Sequence, residues 1–216
     1  MTHEKRTGLA DERQWLAEYF GRYQHVLRRE DVWDQLVQLK GLLVSTHVAG
    51  GKIIIAGNGG SAAIANHCAV DFTKNAGIRC VTFNESSLIT CLANDFGYEH
   101  WLGKALEFYA EPGDVAILIS SSGRSRNMIR GGRVARERQL TLVTLTGFDE
   151  ENPLQQLGEL NFWVESRAYN VVEMMHQMWL LAVCDLIIGD AEYPATPATV
   201  GAPAFVKRGG SHAASE

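Results

Sequence analysis

Five short apolar runs, KIIIAGNGGS, IRCVTFN, DVAILIS, LTLVTLTG and LNFWVES, recur between residues 52 and 166. Helical candidates at 61–74, 86–92, 97–109, 125–138 and 170–189 are interleaved with them. The runs have strand length and are rich in β-branched residues. Strands that alternate with helices form a parallel sheet covered on both faces. Such a sheet binds ligands beyond the carboxyl ends of its strands, at a topological switch point. The alternation therefore predicts an α/β fold and says where a site belongs.

Ahead of the strands, residues 10–50 predict two helices. Trp15, Leu16, Tyr19, Phe20 and Tyr23 recur at three- and four-residue spacings, and Val32, Leu36, Leu39, Leu42 and Leu43 repeat the pattern. Asp31 is suited to cap the second helix and Gly50-Gly51 to end it. After Asp190 the chain holds three of its five prolines and no helical period, so a loosely held tail is expected. The expected organisation is a helical region over 1–50, a ligand-binding domain over 51–190 and a tail over 191–216.

The formal net charge of −5 weighs against a nucleic-acid partner. No uninterrupted apolar run reaches the roughly 18 residues of a bilayer span. The polar start, MTHEKRTGLADERQWL, lacks the apolar core of a signal peptide. A cytoplasmic location without a membrane partner is expected. Cys68, Cys80, Cys91 and Cys184 form no C-x-x-C pair and sit among apolar neighbours. They are expected to be reduced and mostly buried.

Two loops carry the strongest chemical signal. In IIIAGNGGSAA a strand breaks into Gly57-Asn58-Gly59-Gly60-Ser61 and then a helix. Glycines let the backbone approach an anion, and a helix N-terminus offers free N–H groups. Ala62 stands where a dinucleotide fingerprint would need its third glycine, and no P-loop lysine follows. A tight turn without a ligand would leave the same pattern. In ILISSSGRSRN, Ser120, Ser121, Ser122 and Ser125 surround Gly123 at another strand–helix junction. Hydroxyls and N–H groups at a helix start suit a phosphate ester, with Arg124 or Arg126 to add charge. Ser122 as a helix cap would explain one serine of the four.

Three further features are weaker. His67 and Asp71, four apart in HCAVD, share one helix face if this stretch is helical. Asn94-Asp95 reads as a helix cap. Glu173 and His176 interrupt the mostly apolar segment NVVEMMHQMWLLAVCDLIIG. A buried carboxylate is costly unless paired or metal-bound, although one near a helix N-terminus is favoured.

Together, GNGGSAAIANH, CLANDFGYE, GDVAILISSSGRSRNMIRG and LTLVTLTGFD resemble the SIS (sugar isomerase) domain family, and within it the phosphoheptose isomerase branch. The resemblance covers residues 10–189. It implies a three-layer α/β/α sandwich of the flavodoxin-like kind, with the N-terminal helical pair serving oligomerisation. It also implies homotetramers with sites between subunits. The implied activity is conversion of sedoheptulose 7-phosphate to D-glycero-D-manno-heptose 7-phosphate, or isomerisation of a related sugar phosphate. The branch is similar also to the DnaA-initiator-associating proteins. A non-catalytic module that binds phosphosugars or recruits partners is therefore the alternative.

By this resemblance, Ser120, Ser121, Ser122 and Ser125 hold phosphate, and Asn58, Gly59, Ser61 and Asp95 hold the sugar. The family's catalytic and zinc-binding positions fall on His67, Asp71, Glu173 and Leu181, where the family has histidine, glutamate, glutamine and histidine. Leucine can neither move a proton nor bind zinc. His176 lies five positions from Leu181, about 140° around a helix, and cannot take its place. What remains is one histidine and two carboxylates, a set suited to Zn²⁺ or another divalent metal. Asp71 or Glu173 would be the base, with His67 orienting it or holding metal.

Overall fold

The computed structural model describes residues 8–194. Most of the tail expected over 191–216 therefore lies outside the described residues. Two long helices, α1 (Leu9–Leu27) and α2 (Glu30–Val48), precede the sheet. The cap of α2 is Arg29; Asp31 falls in the first turn, and its carboxylate pairs with the Arg29 guanidinium at 2.5 Å. Asp31 is thus drawn to a nearby cation rather than to the free N–H groups. Past the end of α2, Gly50 adopts φ +90, a conformation that costs glycine little.

The repeating units are β1 (Ile53–Gly57), α3 (Gly60–Lys74), β2 (Cys80–Thr82), α4 (Ser86–Phe96) and α5 (Trp101–Tyr109). They continue with β3 (Val115–Ser120), α6 (Arg126–Glu137), β4 (Thr141–Gly147), a 3-10 turn (Gln155–Leu157), β5 (Leu160–Val164) and α7 (Tyr169–Ile188). The helix expected over 97–109 starts later, because Gly97 at φ +89 breaks the chain direction after α4. The Glu85 carboxylate caps α4 by accepting from the Ser87 and Leu88 N–H groups.

All five strands are parallel, in the order β2-β1-β3-β4-β5. Successive residues of β1 and β3 enter opposite layers. Ile53, Ile55, Val115, Ile117 and Ile119 join α1, α2, α3 and α7 in one core. Ile54, Ala56, Ala116 and Leu118 join α4, α5 and α6 in the other. Both faces are dry, which is why these strands read as continuous apolar runs rather than as alternating ones. Each fully buried Ile or Leu contributes about 1.5–3 kcal/mol.

By length and composition α7 is apolar enough to cross a bilayer, with mean hydropathy 1.6 over its best window. Counting uninterrupted apolar residues misses it, because Glu173, His176, Gln177 and Asp185 divide the run. Half of that window is buried in the protein, where α7 packs on α2 and α3. All four cysteines are free thiols, Cys91 exposed and the others buried. Burial pushes the Cys68 and Cys184 thiols up to about 12, so neither is a ready nucleophile.

Candidate functional site

The strand order places the switch point between β1 and β3. The loops leaving those two strands meet there around a cleft of about 290 Å³. Asn58, Gly59, Gly60 and Ser61 line it from the first loop, and Ser120, Ser121, Ser122 and Ser125 from the second. Tyr169 and Glu173 close it from α7. The helices α3, α6 and α7 begin at Gly60, Arg126 and Tyr169, so three N-termini border one cleft. Their free N–H groups and dipoles favour an anion.

The lining is otherwise short of charge. Among the described residues Glu173 is its one charged side chain, and no Lys, Arg or His contributes. Arg124, a candidate for phosphate charge, turns instead to Asp149 at 3.3 Å. Arg126 lies 3.7 Å from Glu99. The groups this cleft could offer an anion are therefore hydroxyls and backbone N–H groups. Ser120 Oγ lies 3.3 Å from Ser125 Oγ, and Ser122 Oγ accepts from the Arg124 N–H at 3.2 Å. The residue that caps α6 is Ser125, without a side-chain bond to the helix, so Ser122 is no helix cap.

Glu173 packs directly on the first loop. A Cβ at Gly60 would lie 2.4 Å from Glu173 Oε2, so only glycine lets the carboxylate approach. Asn58 is held from two sides. It exchanges two hydrogen bonds with Asn127, at 3.0 and 2.8 Å, and accepts a third from the Tyr98 hydroxyl at 3.2 Å.

His67 and Asp71 do share a face of α3, with His67 Nε2 3.2 Å from Asp71 Oδ2. Asn75 Nδ2 donates to Asp71 Oδ1 at 3.1 Å. The other ring nitrogen, His67 Nδ1, lies 2.9 Å from Gln177 Nε2 on α7. With Gln177 donating, the His67 proton sits on Nε2 and points to Asp71. Glu173 is not brought into this chain of contacts. Among the described residues no three His, Cys, Asp or Glu side chains are grouped to hold a metal ion. His67 Nε2 and Asp71 Oδ2, 3.2 Å apart, could take a cation only in place of the proton between them, and Glu173 does not complete a ligand set within one chain.

Leu181 lies a further turn along the Glu173–Gln177 face of α7. It lines an apolar groove with Tyr19, Phe20, Tyr23, Met174 and Met178. His176 is fully buried, with Nε2 3.0 Å from the Thr146 carbonyl, and burial lowers its pKa to about 4. Asp95 is exposed in the last turn of α4 and accepts from Asn94 Nδ2 at 2.9 Å. It is not part of the cleft lining. Sequence reading missed Tyr169, Asn127, Tyr98 and Gln177, and it named Gly60 only as part of the loop, not for its contact with Glu173. The position of Gln177, four residues after Glu173, was the one available signal for it.

A family model described as the SIS domain matches residues 17–147. The phosphoheptose isomerase of Helicobacter pylori strain 26695 is 32% identical over 164 residues, covering 73% of this chain and 85% of that protein. That of Aliarcobacter butzleri is 32% identical over 166 residues, covering 73% and 86%. The solved phosphoheptose isomerase of Neisseria gonorrhoeae superposes with a TM-score of 0.75 at 27% identity, covering 81% of this chain and 97% of that one. With cleft, sheet order and matched residues in agreement, the chain belongs to the SIS domain family.

Proposed function

We propose that the protein is a phosphosugar isomerase that interconverts a ketose phosphate and an aldose phosphate. Sedoheptulose 7-phosphate is the first candidate substrate, because the relatives matched over most of their length are phosphoheptose isomerases. The observation that carries the reading is the pairing of one carboxylate, Glu173, with the serine loop in a single cleft. The ester end needs donors, which the Ser120–Ser125 loop supplies. The reacting end needs a base, which Glu173 supplies.

Starting from the ketose, Glu173 takes a proton from C1. The C1–H electrons form a C1–C2 double bond, and the C2 carbonyl oxygen gains a proton to give an enediol. Glu173 then returns its proton to C2 while the C1 hydroxyl loses one, leaving an aldehyde. Asp71 is less suited to this role, since His67 and Asn75 already engage both of its oxygens. Ser61 and Asn58 would hold sugar hydroxyls.

Zn²⁺ or another divalent metal, held by His67 and Asp71 with ligands from outside this set, would polarise the carbonyl. We also read the working form as a homotetramer, supported by the exposed Trp15, Leu16, Phe20, Met174 and Met178 on α1 and α7. Light scattering of the purified protein tests that assembly.

Leu181 favours a second reading, a binding module that holds a phosphosugar without converting it. One assay separates the two. Purified protein is incubated with sedoheptulose 7-phosphate, with and without Zn²⁺ or Mn²⁺, and assayed for aldose phosphate. Turnover supports the isomerase. Saturable binding without turnover in any metal assigns the module.

A further inference from the structure

We propose that Asn152, which lies behind the cleft, is the positioning residue that sets the anion-binding form of the Ser120–Ser125 loop. The proposal rests on the phosphosugar reading of that loop. Asn152 sits in the connection between β4 and the 3-10 turn and is fully buried. Its amide is packed against Gly123, the residue at the tip of the serine loop. A Cβ at Gly123 would fall 1.8 Å from Asn152 Oδ1 and 2.1 Å from its Cγ. Gly123 also adopts φ +62, so both space and backbone conformation require glycine there.

The Asn152 amide is itself tightly held. Nδ2 donates to Thr146 Oγ1 and the Asp149 carbonyl, each at 3.0 Å, and Oδ1 accepts from the Gln155 N–H at 3.0 Å. The same connection grips the loop backbone on either side. The Gly147 N–H donates to the Ser121 carbonyl at 2.9 Å, and the Leu154 N–H donates to the Gly123 carbonyl at 3.1 Å. No peptide in the described chain is cis. In a trans peptide the N–H points opposite to the preceding carbonyl. Turning the Ser121 carbonyl toward Gly147 therefore turns the Ser122 N–H away from β4, and Ser122 lines the cleft. Asn152 fixes the one joint in this arrangement, the left-handed Gly123.

The test measures binding of sedoheptulose 7-phosphate and of inorganic phosphate by calorimetry, alongside melting temperature. The variants are Asn152→Asp, Asn152→Ala, Gly123→Ala and the double Gly123→Ala/Asn152→Ala. Asn152→Asp keeps the shape and the acceptor for the Gln155 N–H, but loses the bonds Nδ2 donates to Thr146, Asp149 and Gln155 Oε1 and sets a carboxylate behind an anion-binding loop. It should raise both Kd values about tenfold or more. Gly123→Ala should weaken binding further, and adding Asn152→Ala should recover part of that loss by vacating the space the methyl needs. A merely structural residue would lower the melting temperature and leave Kd unchanged. Unaltered Kd in folded Asn152→Asp, or strictly additive losses in the double variant, overturns the positioning role. If the wild type binds neither ligand, the phosphate reading of the loop fails, and the proposal fails with it.

Discussion

Asn58 and Asn127 exchange two amide hydrogen bonds, Nδ2 of each donating to Oδ1 of the other, and so tie the loop after β1 to the first turn of α6. With Tyr98 as a third contact, the Asn58 carbonyl oxygen has both lone pairs taken, and its amide keeps one free N–H. Asn58 can therefore donate to a sugar oxygen but cannot accept from a sugar hydroxyl. Asn127→Ala removes both bonds at once and frees the amide to turn. Leaving these groups unpaired costs about 1–3 kcal/mol, equivalent to about a tenfold rise or more in the phosphosugar Kd. Calorimetric titration checks this, and an unchanged Kd would show that Asn58 needs no such restraint.

Glu173 and Asp71 make opposite predictions as candidate bases. Glu173→Gln keeps the shape against Gly60 and removes the proton acceptor. Loss of a general base costs about 10²–10⁴ in kcat, with KM little altered. Asp71→Asn should cost much less, since the carboxylate sits beyond His67 rather than in the cleft lining. Gly60→Ala tests the same carboxylate without changing it, because the added methyl must displace Glu173. Steady-state kinetics of the three variants decides the matter. A larger kcat loss in Asp71→Asn than in Glu173→Gln would transfer the base to Asp71.

The cleft was legible in the sequence because two glycine- and serine-rich loops each followed an apolar run. Parallel strands place all such loops at one edge, and β1 and β3 turned out to be neighbours. The neighbourhood of α7 was not legible. Spacing shows that residues 173, 177 and 181 share a face, but not that α3 packs against it and brings His67 to Gln177. Asp95, in the segment CLANDFGYE, lies outside the cleft lining of one chain. The left-handed Gly97 turns the chain so that Tyr98, rather than Asp95, reaches Asn58.

Metal content gives an independent measure of the His67–Asp71 pair. If these side chains are ligands, protein purified with Zn²⁺ should retain it, and Asp71→Ala should lose most of it. Gln177→Ala should lower metal content less, because it acts on the far ring nitrogen of His67. Inductively coupled plasma analysis reads all three. Equal metal in the wild type and Asp71→Ala would remove Asp71 from the ligand set.

His176 predicts a pH dependence of stability separate from catalysis. It is buried in the neutral form, donating from Nε2 to the Thr146 carbonyl, and no partner accompanies Nδ1 among the described residues. Burial holds its pKa at about 4 against an ordinary 6.5. Between those values the unfolded chain binds a proton that the folded chain does not, so stability falls as pH is lowered. The contribution is complete above about pH 6.5 and is lost progressively down to about pH 4. At about 1.4 kcal/mol per pH unit of separation, it amounts to a few kcal/mol. Denaturant unfolding at about pH 7.5 and about pH 5.5, roughly one unit either side of 6.5, should show the drop in the wild type. His176→Leu should be less stable than the wild type at the higher pH, having lost a buried hydrogen bond, but should lose less on acidification. Parallel losses in the two proteins would mean that other groups carry the acid sensitivity.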